Sequence, residues 1–207
     1  MTGESDSGTR LGAMTAEGGA RPEPEGGDLH EERQLDAEAH ARRRVALAQI
    51  RQYPDAALRM PARQVERFDE DLARLADKME HLMRDARGVG LAATQIGVLQ
   101  RLFVFQPVED EDPLAVVNPE ITSRSRETET MDEGCLSLQG VLVPVERAVR
   151  VTLEAEDLAG EPLKLELEHM GARVAQHELD HLDGVTMLDR TDDESRREAL
   201  GVLRRSL

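Results

Sequence analysis

Five consecutive residues, His177-Glu178-Leu179-Asp180-His181, carry the side chains best suited to chemistry in this sequence. On a helix, positions i and i+4 stack on one face, so both imidazoles could reach a single tetrahedrally coordinated ion. Glu178 would stand beside the pair, where it could exchange a proton with a water activated by that ion. Two protein ligands are too few for a catalytic ion, which normally has three and keeps one position open. The third could be a distant His, Asp, Glu or Cys. The single cysteine, Cys135, sits in Asp132-Glu133-Gly134-Cys135-Leu136-Ser137, between strand-like segments. A lone cysteine is most often a small buried hydrophobe. It could also be a nucleophile working with a histidine, but that would leave the i, i+4 pair and Glu178 without a role.

The element that must carry the pair is a helix from about Met170 to Leu182, stopped by Asp183-Gly184. On a helical wheel Ala172, Ala175, Leu179 and Leu182 form one stripe, with His177 and His181 opposite, flanked by Met170 and Val174. A helix apolar on both sides is buried, and buried imidazoles need partners: a metal, or hydrogen bonds within a core.

The rest of the chain is read as the frame for that helix. From about Arg63 to Arg87, Val65, Phe68, Leu72, Leu75, Met79 and Met83 recur at spacings of three and four, which predicts an amphipathic helix. Gly88 and Gly90 then open a loop. Leu102–Phe105, Leu114–Val117 and the alternating Leu163, Leu165 and Leu167 read as strands, and Val141–Val145 with Val149–Leu153 as a hairpin or meander. The expected fold class is α+β, antiparallel sheets packed around a central metal-binding helix. With only Tyr53, Phe68, Phe103 and Phe105 as aromatics, the core must be mainly aliphatic. Residues 1–44 are poor in large apolar side chains and predict an acidic, disordered extension; 45–207 form one catalytic domain, with a short terminal helix over 192–207.

A net charge of −16 argues against a DNA-binding surface and against an anionic membrane surface. No run of about 18 apolar residues predicts a membrane span, no secretory or transit signal is legible at the N-terminus, and a single cysteine suits a reducing compartment, so cytoplasm is the expected location.

Three stretches together resemble peptide deformylase: Gly88-Val89-Gly90-Leu91-Ala92-Ala93-Thr94-Gln95, Glu133-Gly134-Cys135-Leu136-Ser137, and Gln176-His177-Glu178-Leu179-Asp180-His181-Leu182-Asp183-Gly184. Tyr53-Pro54-Asp55 and Val117-Asn118-Pro119-Glu120 are similar too, and the likeness covers about Val45 to Arg190. The resemblance implies removal of the formyl group from N-formylmethionine on nascent polypeptides, releasing formate. It implies Cys135, His177 and His181 as metal ligands, Glu178 as the catalytic carboxylate, and Gln95 with the Leu136 N–H as the oxyanion site. It also implies substrate backbone contacts at Val89 and Gly90, and makes Met170 and Val174, with Val89, candidates for the methionine pocket. The chain departs from the family's common Ser-[Ile/Leu]-Pro with Ser137-Leu138-Gln139-Gly140, at the expected pocket rim.

One thiolate with two imidazoles suits Fe²⁺, Zn²⁺, Ni²⁺ or Co²⁺; the resemblance implies Fe²⁺. A plainer reading is also open for Gln95, as a polar loop residue that merely caps the preceding turn. Asp180 and Glu133 could each orient a ligand or serve as ordinary ion-pair partners. The tail carries Arg196, Arg197, Arg204 and Arg205, either a contact for the ribosome or, more plainly, a solvated helix face.

Overall fold

The structure, a computed structural model, describes residues 26–108 and 111–206, with backbone alone for 26–35 and for 206. Backbone from Gly26 to Leu47 is helical (α1). The extension expected as far as Arg44 therefore divides: residues 1–25 lie outside the described residues, and 26–44 are helix. Counting apolar side chains misses this, because Ala, Glu, Arg and Leu favour helix even where nothing is buried; residues 40–45 of α1 are indeed all exposed. The architecture that follows is that of Ala37–Leu207, one compact unit.

The helix predicted from Arg63 starts later. The Asp69 carboxylate accepts from Asp71 N at 3.1 Å and from Leu72 N at 3.2 Å, so α2 spans Glu70–Asp85. Val65 and Phe68 precede it in extended chain. Val65 is buried there because the Asn118 side chain accepts from Val65 N at 2.8 Å and donates to Val65 O at 3.0 Å.

Strands β1 (Gly90–Ala92), β2 (Leu102–Phe105), β3 (Leu114–Arg124), β6 (Arg150–Glu156) and β7 (Pro162–Glu168) form one antiparallel sheet in the order β1-β2-β3-β6-β7, and β4 (Thr128–Gly134) pairs only with β5 (Leu142–Ala148). Here the expected hairpin over 141–153 is corrected. Its two runs are strands, but β5 turns back on β4 while β6 joins the larger sheet. β4 carries Thr, Glu and Asp on a mostly exposed ribbon, so no apolar period marks it.

Period-two alternation places successive β2 residues on opposite faces. Leu102 and Val104 pack with Leu72, Met79 and Met83 of α2. Phe103 and Phe105, ring centroids 5.3 Å apart and edge to face, pack with Ala172, Ala175, Leu179 and Leu182 of α3 (His169–Leu182). The stripe read from the helical wheel is thus the face α3 turns to the sheet. The core is aliphatic as expected, with those two phenylalanines added at its centre. A third cluster joins Val143 and Val145 to Ala199 and Leu203 of α4 (Asp193–Ser206), the helix expected in the tail. Among the described residues no helix is long and apolar enough to cross a membrane.

Candidate active site

The sequence requires α3 to hold its polar side chains against the small ribbon. Gln176 does this at the ribbon's end: its Nε2 donates to Ala148 O at 3.0 Å and its Oε1 accepts from Ala148 N at 3.3 Å. One position on, His177 Nδ1 lies 2.9 Å from Glu133 Oε2, which leaves Nε2 to face the opposite way. His181 Nε2 lies 3.2 Å from Cys135 Sγ, and the two rings stand 5.0 Å apart, nearly perpendicular. The ligand atoms of Cys135, His177 and His181 all fall within 4.8 Å of one another. The 41 residues of chain between Cys135 and His177 are closed by the fold onto one point.

The cysteine loop is held from behind by the 51–53 segment. Tyr53 N donates to Ser137 O at 2.9 Å, Gln52 Nε2 to Leu136 O at 3.0 Å, and Arg51 N to Gln95 O at 2.7 Å. The Tyr53–Pro54 peptide bond is cis. Gln95 sits in the short 3-10 turn Ala93–Ile96 after β1. Its Oε1 accepts from Ala92 N at 2.8 Å, and its Nε2 points to Ser137 Oγ at 3.2 Å and Cys135 Sγ at 3.5 Å. Gln95 thus caps the turn through its oxygen and turns its nitrogen towards Ser137 and Cys135.

Burial alone would push the Cys135 thiol up, but the facing His181 and His177 outweigh it and hold the thiol well below its usual value. Burial works against the His177 imidazolium as well; hydrogen bonds to Cys135 and Glu133 overcome it and raise His177 well above its ordinary value. Burial also opposes Glu133 ionisation, yet His177 and Arg147 draw its carboxyl down to about 2. Glu178 goes the other way. Burial drives its carboxyl up to about 7, against the pull of His177 and His181.

These features fit a metal. Cysteine binds cations as thiolate, metal ligands must shed protons, and a proton shared within such a cluster is one that a cation can replace. Glu178 Oε2 is buried with no hydrogen-bond partner among the described residues, a cost that a ligand or water at the cluster would remove. The cavity in front has a volume of about 670 Å³ and is lined by Val89, Gly90, Gln95, Cys135, Leu136, Met170, Val174, His177 and Glu178. Every residue named from the sequence except the deeper His181 is on that wall. Val89 and Met170 are each 52% exposed and Val174 is buried, so Met170 belongs to the mouth rather than to a sealed helix face. Gly90 allows the closest approach: a Cβ there would fall 2.3 Å from Glu178 Oε1 and 2.8 Å from Val174 Cγ1. Gln139 and Gly140, where the sequence departs from the family's common pattern, form part of the rim.

Of the two carboxylates left open, Glu133 holds His177, one of the three converging groups, and Asp180 touches none of them. Asp180 pairs with Arg147 Nη1 at 2.5 Å and is gripped by Arg190. The sequence reading missed Arg147 and Arg173. Arg147 bridges Glu133, at 3.0 Å, to Asp180, and Arg173 Nη1 reaches Glu133 Oε1 at 2.8 Å; all four side chains are at most 10% exposed. No motif spacing signals them, although charges placed opposite apolar strand positions are a warning of buried pairing. Replacing Arg147 with alanine would take one charged partner from each of two buried carboxylates, leaving Glu133 to Arg173 and His177 and Asp180 to Arg190. The expected loss is about 3–5 kcal/mol of unfolding free energy, read from denaturant midpoints.

The chain also has relatives among known proteins. A family model described as polypeptide deformylase matches residues 47–197. The peptide deformylase of Thermotoga neapolitana is 45% identical over 141 residues, covering 68% of this chain and 85% of that protein. Peptide deformylase 1 of Corynebacterium glutamicum is 42% identical over 164 residues, covering 78% and 97%. Among solved structures, a peptide deformylase from Legionella pneumophila superposes with a TM-score of 0.72 at 41% identity, covering 75% of this chain and 92% of that one. The enzyme from Synechococcus elongatus in complex with actinonin gives 0.70 at 37% identity, covering 74% and 85%.

Proposed function

This chain belongs to the peptide deformylase family and is a metal-dependent hydrolase that removes the N-formyl group of nascent polypeptides as formate; we propose that Cys135, His177 and His181 hold its ion. The observation that carries this assignment is the convergence of one half-buried thiol and two imidazoles beside a buried carboxylate oxygen that has no hydrogen-bond partner among the described residues. A divalent cation so held supplies Lewis-acid polarisation and lowers the pKa of water towards about 7.

The chain's own groups do the rest. Glu178, with a carboxyl near 7, can take a proton at Oε2 from the attacking water and return it to the departing amine. Gln95 Nε2 and the Leu136 N–H, which has no acceptor among the described residues, are the donors for the oxygen that turns anionic. One such donor contributes about 3 kcal/mol to the transition state. Because Gln95 Oε1 is fixed by Ala92 N, its donor end needs no reorientation during reaction. Val89 and Gly90 offer backbone groups to the substrate, and Val89, Met170 and Val174 form the apolar seat for the methionine side chain. An exposed Met170 can adapt its three torsions to such a guest.

We assign Fe²⁺ as the native ion and the cytoplasm as the location; Fe²⁺ would make activity oxygen-sensitive. The deciding experiment is formate release from a formyl-Met peptide by protein purified without oxygen. Activity should vanish with a chelator and return with Fe²⁺ or Ni²⁺. Reloaded protein that releases no formate would refute the assignment. The ribosome is a second proposed partner, through Arg204 and Arg205 on the exposed side of α4. Deleting the tail is a poor test, since Ala199 and Leu203 are buried. Reversing both charges to glutamate should instead reduce co-sedimentation with ribosomes while peptide turnover is kept; unchanged co-sedimentation excludes that contact.

A further inference from the structure

Two guanidinium groups line the active-site cavity with no carboxylate partner among the described residues. Arg43 extends from α1, upstream of the matched 47–197 span, and Arg87 from the turn after α2; both line the cavity that holds Gln95, Cys135 and Glu178. Arg43 does not wave freely. Its Nε donates to Ala86 O at 3.2 Å, which sets its remaining N–H groups beside the residue that follows Ala86, Arg87. Among the described residues, neither arginine forms an ion pair.

The turn holding Arg87 adds an independent sign. Gly88 N donates to Met83 O at 2.9 Å and Arg87 N to Arg84 O at 2.9 Å, the two bonds of a Schellman helix end. The residue between them must be left-handed, and glycine is the usual choice because a Cβ resists that conformation. This chain has arginine there, at φ +59°. A side chain standing where the backbone disfavours one directs attention to what that side chain does.

We propose that Arg43 and Arg87 form a cationic rim that selects formyl-Met peptides carrying an acidic side chain shortly after the methionine. This deepens the deformylase assignment and rests on it. The bulk electrostatics oppose such selection: a net charge of −16 favours basic peptides. Asp132 also stands on the ribbon side of the same cavity. A preference for acid therefore has to come from the local pair. Because side chains of an extended peptide alternate in direction, it should appear at one position and not at its neighbour.

The test compares kcat/KM for formyl-Met peptides with Glu or Lys scanned through the second, third and fourth positions, against an uncharged reference peptide. At one position Glu should exceed Lys by about tenfold in dilute salt, as two partly exposed charge contacts allow. The ratio should fall towards unity at about 1 M salt, where screening acts within about 3 Å. Arg43→Glu should reverse the preference. Arg43→Lys, which keeps the charge but loses the bond to Ala86, should retain most of it. Arg87→Gly should weaken the preference several-fold while raising Tm by about 2–4 °C, as relief of a left-handed side chain predicts. Equal rates for Glu and Lys at all three positions overturn the rim, as does a preference that survives Arg43→Glu combined with Arg87→Gly. Loss of preference in Arg43→Lys as complete as in Arg43→Glu would make the contact to Ala86 structural and overturn it too. If the uncharged peptide also yields no formate, the deformylase assignment itself fails.

Discussion

Glu178→Ala should lower kcat by about 10³-fold or more while metal content stays that of the parent protein. The carboxylate is buried, one of its oxygens has no partner, and burial holds it near the pKa at which a group can both accept and release a proton at neutral pH. It is not among the three groups whose ligand atoms converge, so removing it should leave the ion in place. Fold stability should not fall steeply either, since a buried acid near 7 costs free energy to keep. The measurement is formate release paired with metal analysis of the same sample. An ion that serves only to hold the fold would be indifferent to this change, so near-parental turnover in a metallated Glu178→Ala protein would remove Glu178 from the mechanism. Glu178→Gln should behave similarly, because the amide keeps the shape but cannot carry the proton.

Cys135→Ser is expected to lose the ion, or to lose activity by orders of magnitude. A serine hydroxyl is not ionised at neutral pH and is a poor match for a borderline-soft cation, whereas the facing His181 and His177 hold the Cys135 thiol well below its usual value. The exchange is small in volume and Cys135 sits in a loop tied at both Leu136 and Ser137, so the fold should survive. Metal analysis after dialysis against a weak chelator reads the effect directly. A zinc endopeptidase built on the same helix would draw its third ligand from elsewhere. A fully metallated and active Cys135→Ser protein would therefore favour that rival and break the proposed ligand set.

Several parts of this site were legible in the sequence because they are local. His177, Glu178 and His181 share a helix turn, and the period of α3 shows which face meets the sheet. β2 and β7 betray themselves by apolar runs and alternation. Less legible were features set by competition between neighbours. The start of α2 moved to Glu70 because Asp69 caps there and Asn118, more than fifty residues away, holds Val65 in extended chain. β4 went unseen because a ribbon with one solvated face and few apolar residues leaves no period to read.

The sequence by itself determined the chemistry available: one thiol, a helical pair of imidazoles, an acid between them, and motifs that name the family. Only the tertiary structure decided which of the nearby charges serve that chemistry. Glu133 orients His177, whereas Asp180, one helix turn away, is spent on Arg147 and Arg190. It likewise gave Gln95 two tasks and brought Arg43, outside the family match, to the cavity mouth. The reason is physical. A helix repeats every 3.6 residues and shows its neighbours in the sequence itself, but which carboxylate meets which guanidinium depends on strand register and packing between elements far apart in the chain.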